Sequence, residues 1–221
     1  MVRTFSYLLA IASVVVVATA TPVLAQKVTE VPGTVQPDRV RGQVITVEDT
    51  SMVIATTDGE EVRIALSDNL SVFSLSTAKF TDVDFGSYVG AVSVRLNTYS
   101  PIVRDSLSWL HHGFELRIID EELRGIALGH TSWDLKPDSV MSHGWVDDLE
   151  IRVLSIKYGP TEEEEADVDI PRDVPILKMS LGGKSLIQPG AHVFAGAQKD
   201  ANDNYAAVFV MVGEDGVVPS L

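Results

Sequence analysis

Cysteine is absent from all 221 residues, which removes disulfides, thiolate nucleophiles, cysteine-based zinc sites and a lipid-modified amino-terminal cysteine together. Basic residues are scarce, with 17 Lys and Arg against 31 Asp and Glu and a formal charge of −14. Such a surface opposes phosphate backbones, so nucleic acid is excluded as the expected partner. Aromatic residues make up 7% of the chain, and they are not interleaved with basic residues as a base-stacking platform requires. After the first 25 positions no apolar run approaches the roughly 20 residues that cross a bilayer. The most apolar later stretch, Ala206 to Val212, has the length of a strand and is closely followed by Glu214 and Asp215. What the chain does have is a hydrophobic content of 45% against 22% charged, enough to bury a core and offset chain entropy.

The first residues read as a signal peptide, 1–25. Arg3 precedes an apolar stretch from Tyr7 to Ala20, and the small residues Val23 and Ala25 mark a cleavage site near Ala25. The expected location is the periplasm, or the outside of the cell, with no transmembrane segment in the mature chain. Pro32, Gly33 and Pro37 make 26–37 an extended linker.

From Val40 onward the hydrophobic period is two. Val40, Gly42 and Val44, then Val53 and Ala55, then Val62, Ile64 and Leu66 alternate with polar neighbours, and Asp58-Gly59 is a tight-turn signal. Phe80 to Phe85 has room for one helical turn before Gly86, and a valine-rich strand follows from Tyr88. The plan recurs downstream. Gly86-Ser87-Tyr88-Val89-Gly90-Ala91 matches Gly190-Ala191-His192-Val193-Phe194-Ala195, each after a lysine (Lys79, Lys184) and a short stretch able to form a helical turn. The expectation is an all-β fold, mainly two small OB-like β-barrel modules in tandem. The first spans 38–120 and the second 140–216, with a connector at 121–139 and a tail at 217–221. A single β-sandwich is the competing architecture.

Glu122-Leu123-Arg124-Gly125, Gly129-His130, Trp133-Asp134-Leu135-Lys136-Pro137 and the closing Asp215-Gly216-Val217-Val218-Pro219 resemble a family of uncharacterised exported proteobacterial proteins. Its members carry a domain of unknown function with a Gly-His-x-x-Trp-Asp-Leu connector. The resemblance implies the leader and the two β modules, and it supplies no substrate. Some members bear the loose label of a metal transporter permease, which does not suit a chain without a later apolar span. This sequence departs from the family at Thr131-Ser132, where an Arg-Pro pair is usual, at Glu214, where lysine is usual, and in an apparent insertion over 97–113.

The connector therefore supplies the candidate ligand-binding or structural residues, Gly129, His130, Trp133 and Asp134. For a metal, imidazole and carboxylate ligands from His130, Asp134 and His143 are the residues to weigh. His111 and His112 flank the same region, and in an extended segment only one of the two can face a common site. No His-Glu-x-x-His spacing is present, so the expectation is no resident metal or cofactor. His130 and Asp134 then form a hydrogen-bonded connector pair, with Trp133 as a wedge whose N–H finds a partner. The acidic run from Glu162 to Glu165 lacks the calcium-loop pattern and reads as a solvated hairpin tip. Gly182-Gly183-Lys184-Ser185 lacks the first glycine of a phosphate loop, and no Gly-x-Ser-x-Gly elbow is present. The sequence points to a non-catalytic exported binding or scaffolding protein whose partner is an envelope protein or a saccharide. Two alternatives are a metal-binding or hydrolytic protein centred on the connector, and a soluble accessory subunit of an envelope transporter.

Overall fold

A computed structural model describes residues 37–96, 109–161, 164–200 and 202–219. The signal peptide, its cleavage site and nearly all of the linker lie outside the described residues. The strands are β1 Asp38–Glu48, β2 Ser51–Thr56, β3 Glu61–Ala65, β4 Ser71–Thr77, β5 Tyr88–Arg95, β6 His111–Ile119 and β7 Gly129–Ser132. They continue as β8 Val140–Glu150, β9 Val153–Lys157, β10 Glu165–Asp169, β11 Ile176–Leu181, β12 His192–Lys199 and β13 Tyr205–Gly213. Single 3-10 turns at Phe80–Asp82 and Lys184–Leu186 precede β5 and β12, where the repeat predicts them. No helix of the described residues is long and apolar enough to cross a membrane.

The chain is mainly β and its barrels are OB-like. One ring closes through β1–β2, β2–β3, β3–β13, β13–β12 and β12–β1, with only β3–β13 parallel. The other closes through β8–β9, β9–β10, β10–β6, β6–β5 and β5–β8, with only β10–β6 parallel. Five strands with one parallel closure is the Greek-key barrel that closes on itself and leaves few free edges.

The ring closures do not follow the repeat boundaries 38–120 and 140–216. Each ring takes its first three strands from one repeat and its last two from the other, so the repeats have exchanged halves. Strands β4 and β11 carry the chain across, pairing with each other in antiparallel fashion while β4 also pairs β13 and β11 also pairs β6. Their register sets Leu75 opposite Met179, the two residues that occupy the same place in the repeat, so a local two-fold passes through this pair.

Sequence details common to both rings follow from this arrangement. A Cβ on Gly42 would meet the Ala55 carbonyl oxygen at 2.0 Å, and one on Gly144 would meet that of Lys157 at 2.2 Å. Only glycine allows the first strand of each ring to bend that closely over the second. Gly190 N–H donates to Val44 at 2.8 Å and Gly86 N–H to Val146 at 2.8 Å, so each Gly-led turn is tied to a strand of the other repeat. The alternating inward residues fill two separate cores, Val44, Ile54, Ile64, Ala195 and Val210 in the first ring and Val89, Leu116, Val146, Ile156 and Val168 in the second. A third core, containing Phe73, Leu75, Tyr88, Met179, Phe194 and Met211, lies outside both rings and against the central strands.

Two details of the expected layout change. The connector carries a strand of its own, because Gly129–Ser132 pairs with β8 as β7. The tail is folded back: Val217 N–H bonds to Glu214 at 2.9 Å, and Val217 packs against the third core.

Candidate functional site

The connector is pinned to β5 of the second ring and the turn before it ahead of its candidate residues. The Tyr88 hydroxyl donates to the Ile126 carbonyl at 2.8 Å, and Arg124 donates to the Gly86 carbonyl at 2.9 Å. Gly129 then opens β7 at φ +140°, a backbone that glycine adopts readily.

The pairing His130↔Ser142 and Gly129↔His143 decides where the imidazoles go, since neighbouring residues of a strand face opposite sides. His130 Nδ1 lies 2.9 Å from the Ser142 hydroxyl. Its ring stacks on Tyr158 at 5.2 Å and meets His111 edge-on at 5.7 Å. His111 Nδ1 lies 3.1 Å from the Ser93 hydroxyl. Five polar side chains from four strands and the residue after β9 thus gather at the mouth of the second ring. Burial, then the neighbouring His130 and Arg95, push His111 down to about 4, and burial with Arg95 lowers His130. Both are neutral imidazoles at pH 7. His143 points to the other side, where its ring packs against Gly90; burial and the Arg117 guanidinium push it down to about 3.

Asp134 goes elsewhere. Arg41 grips its carboxylate with two hydrogen bonds of 2.8 and 2.6 Å, and Arg39 adds an ion pair at 3.1 Å while bonding the Ser132 carbonyl at 3.0 Å. Partial burial works against the charge of Asp134, but the two guanidinium groups outweigh it and hold the carboxyl below its usual range. Trp133 is wedged between them and the core. The Arg39 guanidinium sits 4.0 Å above its ring, Phe194 stacks beneath at 5.8 Å and 15°, and Phe209 continues the stack at 5.9 Å. Arg39 and Phe194 both belong to the first ring, and the Trp133 Nε1, expected to find a partner, is buried without a hydrogen-bond partner among the described residues. The expected His130–Asp134 hydrogen bond is replaced by these separate attachments.

His130, Asp134 and His143 therefore do not converge. Among the described residues no group of three or more His, Cys, Asp or Glu side chains is placed to hold a metal ion, and the histidines that do meet are His111 and His130. His112 faces away, against Phe114 at 5.1 Å. The two Ser–His contacts have the elements of an activated nucleophile, yet Ser93 and Ser142 are both 0% exposed, so neither hydroxyl can meet a substrate. Sequence reasoning missed Arg39, Arg41, Ser93, Ser142 and Tyr158. The signal was available in the repeat: Arg39 and Arg41 are two apart on one face of β1, and the serines stand where the other repeat has Val40 and Ala197. Of the remaining motifs, Thr161 donates to Glu164 at 2.9 Å at the acidic hairpin, and Lys184 lies 3.7 Å from Asp68, as a surface turn lysine does.

Comparison with known proteins adds no relative: no family model, no curated protein and no solved structure matches the chain.

Proposed function

We propose that this chain is a non-catalytic exported protein of the periplasm that binds or scaffolds an envelope component, a protein or a saccharide. The observation that carries this reading is the use made of the connector. Its carboxylate is held by Arg39 and Arg41, its indole lies between Arg39 and Phe194, and its imidazole rests against Ser142 and Tyr158. Groups that would do chemistry are engaged in joining the two rings, and a rigid pair of OB-like barrels presents loops and curved faces suited to recognition. Export rests on the leader at 1–25, and docking on an envelope transporter is one form the scaffold takes.

The test combines fractionation with metal analysis. The mature chain is expected in the periplasmic fraction with Gln26 as its first residue, and free of stoichiometric metal when purified without chelator. In-cell crosslinking should join it reproducibly to one envelope component. Stoichiometric zinc, or a hydrolytic activity lost in His130→Ala, would overturn the proposal.

A further inference from the structure

The connector leaves one concave site unused. A cleft of about 640 Å³ opens where the end of β4, the start of β11, the β8–β9 turn and the folded-back tail meet. Its volume is in the range of small-molecule sites. Its charge contradicts the molecule as a whole: Lys79, Arg152 and Arg172 line it with one carboxylate, Asp215, on a chain of net charge −14. Neither Lys79 nor Arg172 forms a salt bridge with any described residue. With 31 carboxylates available, leaving two cations unmatched in a concavity maintains a local positive potential that attracts anions.

The third cation is fixed in place. Arg152 spends Nε and Nη2 on the carbonyls of Ile170 and Pro171, and its guanidinium lies 4.3 Å over the Phe80 ring. The turn that presents it contains Ile151 at φ +56°, and that side chain is 93% exposed. A β-branched residue in the left-handed region is an outlier with a conformational cost. Nothing is gained in packing by an isoleucine there, and the strain sits beside the cleft. Phe80, Ile176, Leu177 and Val217 supply an apolar wall. The Asp215-Gly216 turn also lines the cleft, and the hydrogen bond from Val217 to Glu214 holds the tail in position. At the positions of the other repeat that correspond to Lys79, Arg152 and Arg172 the chain has Gly183, Thr50 and Asp68, so the fold does not demand the cations.

We infer that this cleft binds a small organic dianion: an apolar body against Phe80 and Val217, with carboxylate or phosphate oxygens reaching Lys79, Arg172 and the unspent nitrogen of Arg152. The inference rests on the reading of the chain as a binding module and names the class of ligand that this site takes.

Titration calorimetry of the whole mature protein tests it with phenyl phosphate and phthalate, each at up to about 10 mM, and benzyl alcohol as the neutral comparison. At low salt one or both dianions should bind and benzyl alcohol should not. Affinity should fall at least about tenfold in the Lys79→Gln/Arg172→Gln variant, in line with loss of charge-assisted hydrogen bonds, and should fall again as salt is raised. Lys184→Gln, on the equivalent turn of the other repeat, should bind as the wild type does. A preference for phenyl phosphate assigns the site to phosphate esters, and a preference for phthalate assigns it to carboxylates. Absence of binding by both dianions, or equal binding by the double variant or by benzyl alcohol, overturns the inference. Both exchanged side chains are exposed, so an unchanged thermal midpoint will show that the variant is folded. Failure here with the envelope crosslink intact removes the cleft ligand and leaves the scaffold reading standing, whereas loss of the crosslinked partner alone does the reverse.

Discussion

The two rings share one topology and use it differently. The first is apolar to its mouth, with Val40, Ala197 and Tyr205 closing its core. At the same places in the second ring stand Ser142, Ser93 and His111, joined by His130 and Tyr158. The outer faces that meet the third core differ as well. The first ring offers Phe209 and Met211, stacked with Phe194 and Trp133; the second places Glu115 and Arg117 at the equivalent positions. Those two form an ion pair at 3% and 1% exposure, with an Arg117 Nη1–Met211 Sδ contact of 3.7 Å. The two barrels thus share their backbone requirements, Gly42 with Gly144 and Gly86 with Gly190, while the second carries these buried polar groups. Such groups contribute little net stability when satisfied and cost heavily when one partner is removed.

The largest expected effect concerns the exchange of halves, on which the comparison depends. With no native cysteine to compete, Val92→Cys/Met141→Cys should form a disulfide in nearly every molecule, because these residues face each other across β5 and β8 at a separation a disulfide spans. If each repeat closed its own ring, Val92 would instead face Arg39. A Val92→Cys/Arg39→Cys chain that crosslinks efficiently would refute the exchange. Next in size is the buried pair. Arg117→Met leaves Glu115 without its cation and should cost about 3–5 kcal/mol in urea denaturation. Glu115→Leu/Arg117→Met, which brings this face towards the apolar character of its counterpart, should recover most of that loss. A double variant as weak as the single one would mean that the polar pair is required by packing rather than tolerated.

The sequence made the β modules, the Gly-led turns and the duplication readable, since each is encoded in local alternation and turn chemistry. It did not reveal which repeat completes which ring. A period of two assigns each side chain to a face but does not choose the partner strand, and the tandem and exchanged arrangements bury the same residues of β1, β2 and β3. Strand β4 escaped notice for a related reason: flanked by β13 and β11, it is buried at Val72, Phe73, Ser74 and Leu75 in succession and shows no alternation. Among the candidate residues, Trp133 and Asp134 stood out in the connector, but the partners Arg41 and Arg39 lie 93 and 95 positions from Asp134, where local spacing carries no information.

The histidine mouth predicts a smaller, pH-dependent difference between the rings. His111 is depressed to about 4 from its ordinary 6.5, so the unfolded chain binds the proton first. Stability is fully present above about pH 6.5 and declines as pH falls from there towards 4, by about 3 kcal/mol for this group. His130 and Arg95 face the ring and His143 loses stability in the same direction, so the quantity to measure is the difference between wild type and His111→Tyr, which installs the residue of the first ring. Urea midpoints at pH 7 and pH 4 should separate less in the variant. Equal separation in both proteins would place the acid sensitivity elsewhere.

The smallest effect concerns the β8–β9 turn, where the rings diverge in backbone rather than in core. The first ring turns through Asp49-Thr50, neither at positive φ, while the second uses Ile151 at φ +56°. A left-handed conformation costs a side-chain-bearing residue about 1–2 kcal/mol. Ile151 is 93% exposed, so Ile151→Gly removes the cost with little packing lost and should raise stability by about 1 kcal/mol, a few degrees in thermal midpoint for a domain of this size. If the strain serves to hold Arg152 over Phe80, the same variant should bind phenyl phosphate or phthalate more weakly while being more stable. A gain in stability with unaltered dianion affinity would separate the strained turn from the cleft and leave Arg152 positioned by its two carbonyl bonds alone.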